Sequence, residues 1–487
     1  MTTPDVVPAT APELAPAPAA PPAAPPPPAS IWSTIRDALR GAHYDFTDGP
    51  IPRAIILLAV PMVLEMALES VFAVTDIFFV GRLGPDAVAT VGLTESMLAI
   101  IYAVDMGFAI GAAATVARRI GERDPEGAAD AAMQSLWLGL AAAVIIGSIG
   151  AIFGPALLQL MGASPGVLAH ANYTRVMLGG SGTIVMLFLL NAIFRGAGDA
   201  AIAMRVLWLA NTINILLGPC LIFGLGPFPR LGVAGAAVAT TIGRGTGALY
   251  AASRLLRPGG RVHLQRRHVR IDPAGIGRLL RLSGASGLQS LIGTASWVGL
   301  VRIISQFGSQ ALAGYTIGIR IVVFALLPSW GLGNAAATMV GQALGAKKPE
   351  RASRAVWLAA GYDCAFLTLV GLGFLLLARP IVGLFTSDPT VLEIGGTALR
   401  TMAVGFPFFG VGMVLTQSFN GAGDTRTPTL INLFVFWLWE IPLAGVLALR
   451  TSLGPTGVFL AVTIAFATLA VVSGILFRRG RWRTSVV

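Results

Sequence analysis

Three carboxylates stand close together in one apolar run of this chain: Glu65, Glu69 and Asp76. At about 100° per residue, their spacings of four and seven set them within about 40° of one another on a helix, so they form one acidic stripe. A charge at the centre of a bilayer costs about 2.5 to more than 10 kcal/mol, depending on the reference state, so such a stripe faces protein or water and not lipid. The chemistry open to it is reversible binding of a proton or a cation, because burial among like charges brings a carboxylate into a range where it exchanges protons. The plainer alternative is that the acids pair with arginine or line a wet vestibule. Glu95, in the next apolar run, lies at a depth matching the middle of the stripe; Asp105 points about 80° away from it and is the weaker candidate. Farther along, Asn211 and Asn214 offer amide oxygens to a cation, with hydrogen bonding between helices as the plain alternative.

Positioning such groups requires long apolar helices, and the composition supplies them. Hydrophobic residues make up 55% of the chain and charged residues 12%, outside the range of a soluble globular protein. Apolar runs long enough to span a bilayer fall near 54–80, 88–115, 131–153, 173–195, 202–224, 233–255, 276–303, 311–341, 353–378, 394–419, 428–449 and 456–477. The expected fold is therefore an all-α integral membrane protein of twelve spans in two six-helix bundles. The formal charge of +11 does not indicate nucleic acid, since the basic residues sit in the gaps between apolar runs. They alternate by side: Arg118, Arg119, Arg123, the segment Arg254 to Arg281, Lys347 to Arg354 and Arg478 to Arg483 on one, and little beyond Arg82, Arg230, Arg379 and Arg450 on the other. By the positive-inside rule both termini are cytoplasmic, in a bacterial-type cytoplasmic (inner) membrane.

The expected organisation is a disordered Pro/Ala-rich tail over 1–30, an interfacial helix within 31–50, a first bundle over 51–256, a basic linker over 257–274, a second bundle over 275–478 and a basic tail over 479–487. The two bundles repeat one another. Gly196-Ala-Gly-Asp199 recurs as Gly421-Ala-Gly-Asp424, Ala112 to Thr115 as Ala335 to Thr338, and Gly121-x-x-x-Pro-Glu126 as Gly345-x-x-x-Pro-Glu350. In the turn motif a glycine ends one helix in the left-handed conformation and the aspartate caps the next. Aligning Gly84 with Gly308 places Gln289, Gly293 and Leu300 at the three stripe positions, so the acids are expected in the first bundle alone. Cys220 and Cys364 lie within apolar runs, and His43, His170, His263 and His268 outside them, with no metal-ligand or nucleophile pattern. Neither enzyme activity nor a cofactor or resident metal is expected.

These features, together with VTDIFFVGRLG at 74–84 and RIISQFGSQALAGYTIGIR at 302–320, resemble the MATE family, the multidrug and toxic compound extrusion transporters of the wider flippase superfamily. The resemblance covers residues 50 to 478. It implies a V-shaped pair of bundles that exports organic, often cationic amphipathic compounds against an inward gradient of protons or sodium. It also matches Asp76 to the family's first-helix aspartate and Asn214 to its fifth-helix asparagine. The chain departs from the family at Gly218, where an acid commonly follows the asparagine, and the coupling chemistry is then expected to shift onto Glu65, Glu69 and Glu95. For the substrate, Met66, Phe72, Met97, Tyr102, Gln289, Trp297 and Tyr315 are candidate cavity liners, with core packing as the competing account of each. The partners are small organic molecules, the coupling ion and membrane lipid. One chain holds both halves, so a monomer suffices. A lipid-linked or other amphiphile flippase of the same superfamily is the alternative; it would carry more cationic residues toward the cavity.

Overall fold

Proline and glycine at the breaks between apolar runs dictate where the helices begin and end. The computed structural model describes residues 30–485, apart from the side chains of Ala73, Val74, Asp76 and Ile77; the rest of the Pro/Ala tail lies outside the described residues. Helix α1 (Ile31–Arg40) is capped by Ser30 and stopped by Gly41 in the left-handed conformation, so it fills only the first half of the segment 31–50 expected to hold an interfacial helix. Its Ile31 and Trp32 are exposed, as an interfacial helix requires. There follow α2 (Ile51–Gly81), α3 (Pro85–Gly121), α4 (Pro125–Leu160), the short α5 (Pro165–Leu168), α6 (Ala171–Gly179), α7 (Ser181–Ala197), α8 (Ala200–Phe223) and α9 (Val233–Leu255). The second half comprises α10 (Pro273–Ile304), α11 (Ser309–Gly345), α12 (Pro349–Gly383), α13 (Pro389–Ala403), α14 (Phe406–Ala422), α15 (Arg426–Asn432), α16 (Ile441–Leu449) and α17 (Pro455–Arg478).

Between α15 and α16 the chain widens into a π-helix over Leu433–Glu440. Pro442 follows at once, and its missing N–H and bulky ring account for the loss of α register over the preceding turns. Among the described residues ten helical segments are long and apolar enough to cross a bilayer, or eleven if α13 and α14, bent by 55° at the break between them, are counted as one span. The 23-residue α9 is long enough but dilutes its apolar content with glycine and threonine and carries Arg244.

The interior of the first half is built from α3, α4, α6, α7, α8 and α9 with the end of α2, that of the second from α10 to α14, α16 and α17. Helix α2 does not respect this division. Its first third, Ala54 to Met62, is buried among Ala335, Met339, Val356, Val414 and Phe419 of the second half. Close contact between the halves is made where α2 meets α11 and α3 meets α10 and α11. It depends on glycine: a Cβ on Gly331 would stand 2.7 Å from the backbone nitrogen of Val63, and one on Gly121 would overlap the carbonyl oxygen of Gln342. These contacts lie toward the face that carries the basic loops and both described ends, called here the basic face.

The duplicated turns contribute to the same closure. Gly198 and Gly423 take φ of 87° and 85°, as the motif predicted. Gln342 donates to the Gly196 carbonyl at 3.0 Å, and Arg118 to the Ala422 carbonyl at 3.4 Å, so each turn is held by a helix of the opposite half. The expected capping role holds for Asp424, which accepts from the Thr427 N–H at 3.1 Å. Asp199 does not cap α8; it pairs instead with Arg261 at 3.2 Å. The basic linker is docked along α4, where Gln134 bonds Arg270 and Asp272 and Glu126 binds Arg267 and His268.

Candidate functional site

Helix α2 presents Glu65 and Glu69 on one side, one turn apart, and α7, α8 and α9 supply their partners. Glu65 is 1% exposed. Its Oε1 accepts from Arg195 at 2.7 Å and from Asn191 at 3.3 Å, while its Oε2 and the Asn191 Oδ1 are buried without partners. Glu69 accepts from Arg244 at 3.1 Å and, through its other oxygen, from Asn211 at 3.1 Å. The Arg244 guanidinium lies 5.7 Å from the Phe72 ring centre and 5.5 Å from that of Phe188, so an ion pair and two aromatic faces hold one buried cation. Asn214 is engaged one step away, donating to Thr240 at 2.7 Å.

The expectation that basic residues lie only in the gaps between spans is therefore corrected. Arg195 and Arg244 are buried beside the acids, and a count of arginines within the runs 173–195 and 233–255 would have found them. Of the predicted coupling residues, Glu65, Glu69, Asn211 and, through α8, Asn214 are brought together. The Asp76 side chain lies outside the described residues. Glu95 is exposed and makes no ion pair with these groups among the described residues. Tyr102 links the acid–arginine pairs to the space between the halves, since its ring meets that of Phe188, 6.1 Å away, which also lies against Arg244.

Beside Tyr102 opens a cavity of about 490 Å³ between the halves, within the usual range for small-molecule sites. The first half gives it Tyr102, Asp105, Met106 and Phe188; the second gives Gln289, Trp297, Trp330, Phe409, Met413, Asn432 and Phe436. Asp105 is the one charged residue of its described lining, 2% exposed and with Oδ1 unpartnered. Three of the seven predicted liners, Tyr102, Gln289 and Trp297, face this space. The others are corrected. Tyr315 is sealed in the second half's core, stacked on Phe459 with ring centres 6.3 Å apart. Phe72 packs under Arg244, Met97 against the Val91 and Leu98 cluster, and Met66 lies beside Glu65 on α2 outside the cavity lining.

A family model described as MatE matches the chain twice, over residues 61–220 and 286–446. The chain belongs to the MatE family. Among its relatives, the probable multidrug resistance protein NorM of Thermotoga maritima is 26% identical over 441 residues, covering 90% of this chain and 94% of that protein. Among solved structures it is similar to the outward-facing conformation of a multidrug resistance MATE family transporter of the MOP superfamily, at 29% identity and a TM-score of 0.84, covering 90% of this chain and 97% of that one. It is also similar, at 28% identity and a TM-score of 0.85, to a MOP superfamily transporter from Pyrococcus furiosus described as having a binding pocket of reverse polarity, covering 90% and 98%.

The double MatE match runs across both halves, yet the second half does not lack buried acids as the sequence alignment of the stripe suggested. Asp363 on α12 is 0% exposed and Glu440, at the end of the π-helix, is 3% exposed. Among the described residues neither has an ion-pair partner. Reading the repeat from α2 and α10 alone hid them, because they sit on α12 and in the π-helix, away from the stripe and its repeat partner; a scan of every apolar run for carboxylates would have marked both.

Proposed function

We infer that this MatE-family protein is a secondary active multidrug efflux transporter that exports organic, often cationic amphipathic compounds by antiport with protons or sodium, through alternating access of the cavity between its halves. The observation that carries this reading is the cavity itself. Seven aromatic rings surround a single carboxylate, Asp105, which suits a bulky apolar cation. Among the described residues the lining carries no arginine or lysine, so it does not suit the pyrophosphate of a lipid-linked flippase substrate.

Coupling is assigned to Glu65, Glu69, Asp76, Glu95, Asn211 and Asn214. Two buried oxygens, Glu65 Oε2 and Asn191 Oδ1, lack partners, and a proton or sodium ion arriving there would satisfy them. Arg244 provides the link to substrate. It pairs with Glu69 and lies against Phe188, which lines the cavity together with Asp105. A proton delivered to Glu69 neutralises the partner of a buried guanidinium, which then gains by turning toward Asp105. With Asp105 masked, a bound organic cation loses its counter-charge and leaves; deprotonation of Glu69 restores the site. Proton and drug thus compete through one arginine, and competition of this kind is what antiport requires.

In this reading α9 is the sixth of twelve spans, its Arg244 tolerated in the bilayer because Glu69 neutralises it. The bundles are 51–256 and 275–478, joined by the linker 257–274. The basic face is cytoplasmic in a bacterial inner membrane, and a single chain is the working unit. The test is extrusion of ethidium from proteoliposomes with a proton or a sodium gradient applied separately. Extrusion under one of them, abolished in Glu69→Gln, is expected. No extrusion under either by folded protein overturns the reading.

A further inference from the structure

Asp363 is the most deeply buried carboxylate of the second half. Its Oδ2 accepts from the Ser329 hydroxyl at 2.5 Å, and its Oδ1 is buried with no partner. Helices α2, α11, α13 and α14 pack against α12. Their ionisable groups are Arg53, Glu65, Glu69 and Asp76 on α2, Tyr315 and Arg320 on α11, and Glu393 and Arg400 on α13, with none on α14. On α12 itself the neighbours in sequence are Tyr362 and Cys364, with Arg354 and Arg379 farther along. Among the described residues no cation lies within the 4.0 Å ion-pair range of Asp363. Glu65 and Glu69 are already engaged with arginines, and Glu393 with Arg379.

The surroundings of this acid connect it to the cavity. Ser329 lies between Pro328, within α11, and Trp330, which lines the cavity. Gly410 touches Asp363 so closely that a Cβ there would lie 3.2 Å from its Cγ, and the preceding residue, Phe409, lines the same cavity. A fully buried carboxyl without counter-charge is more stable as the neutral acid, which avoids the cost of burying an unpaired charge. Proline in α11 leaves one backbone carbonyl without its helical donor, so that helix bends at low cost where Ser329 sits.

We propose that Asp363 is a second proton-binding site, in the half opposite the acid–arginine pairs, and that its protonation state sets the α11 wall of the cavity through Ser329 and Trp330. In the state described here the carboxyl holds its proton. Release breaks the O–H bond, leaves the electron pair on the carboxylate and passes the proton to cavity water, and the new charge draws donors and water toward α12, displacing the wall at the Pro328 bend. The proposal rests on the antiport reading, because a second site gives the exporter a second proton to exchange.

The experiment uses the full chain in lipid nanodiscs. Infrared difference spectra taken between low and high pH are expected to contain a protonated-carboxyl band that vanishes in Asp363→Asn and shifts in Ser329→Ala, which keeps the acid and removes its hydrogen bond. Calorimetry of ethidium binding in buffers of different ionisation heat is expected to show fewer protons released in Asp363→Asn than in the wild type, with affinity kept within about threefold. A band and a proton count unchanged in Asp363→Asn overturn the proposal. Failure of the wild type to extrude dye under a gradient would remove the antiport reading while leaving the infrared result standing, so the two failures are distinguishable.

Discussion

The two halves share turns, helix starts and a double family match, yet they treat their buried carboxylates in opposite ways. In the first half Glu65 and Glu69 are neutralised by Arg195 and Arg244, brought in from α7 and α9. In the second, Asp363 has a serine hydroxyl and Glu440 has no ion-pair partner among the described residues. Duplication has preserved what the backbone needs, glycine at left-handed turns and small residues where helices cross, and has left the electrostatics to diverge. A paired acid that takes a proton leaves its arginine without a counter-charge; an unpaired one can take or lose a proton without orphaning a cation. The contrast thus separates a half in which proton exchange moves an arginine from a half in which it changes the charge of the acid alone.

The largest effect expected to test this division is on stability. Glu65→Gln leaves Arg195 buried without its counter-charge, which costs about 3–5 kcal/mol. Asp363→Asn replaces one neutral hydrogen-bonding group by another of the same shape and should cost no more than about 1.5 kcal/mol. Thermal unfolding of the two purified variants in one detergent makes the comparison. Equal losses would show that both acids are held alike and would erase the contrast. Replacing Glu65 and Arg195 together by leucine should recover most of the stability lost in Glu65→Gln, since the orphaned charge is then gone.

A smaller effect concerns the cavity, where the first half supplies the charge and the second most of the aromatic wall. Asp105→Asn should weaken binding of an organic cation about tenfold, or about 1.4 kcal/mol, and leave a neutral dye of the same size unaffected. Tryptophan quenching by matched cationic and neutral dyes measures both. Equal weakening of the two would mean that Asp105 shapes the cavity without selecting for charge.

Much of this architecture was legible in the residues. The apolar runs correspond to the long helices, the Asp-Pro-Glu and Gly-Ala-Gly-Asp motifs to helix starts and stops, and the α2 spacing to the shared side of Glu65 and Glu69. The partners of those acids were harder to see. Arg195 is 130 residues from Glu65 in sequence and Arg244 is 175 from Glu69, and helical periodicity reports which residues share a face, not which helix that face meets. The cavity posed the same difficulty. An aromatic in a membrane helix looks alike whether it faces a substrate, as Trp297 does, or a neighbouring ring, as Tyr315 does. Only the crossing of helices separates the two.

The smallest effect belongs to the place where the halves are tied together. Residues 44–49 lie across the basic face as a strap: Arg261 donates to the Tyr44 carbonyl at 2.6 Å, and from α12 Arg351 donates to Phe46 at 3.0 Å, to Asp48 at 2.8 Å and to Gly49 at 2.8 Å. Two acids at this junction titrate in opposite directions. Burial raises Asp199 above the ordinary carboxylate value, against the opposing pull of Arg261, whereas the Thr47 hydroxyl holds Asp45 below it. A raised folded-state pKa means that the folded chain binds the proton more tightly than the unfolded one. The contribution of Asp199 is therefore fully present below its ordinary value and is lost as pH rises through its folded value. Asp45 has the reverse sign: its contribution is present above the ordinary value and is lost as pH falls through its depressed one. Acidifying from neutrality should therefore first raise the melting temperature of the wild type relative to Asp199→Asn. Further acidification should then lower it relative to Asp45→Asn. Melting curves of the three proteins across that range decide it, and parallel pH profiles would mean that the strap joins the halves without sensing protons.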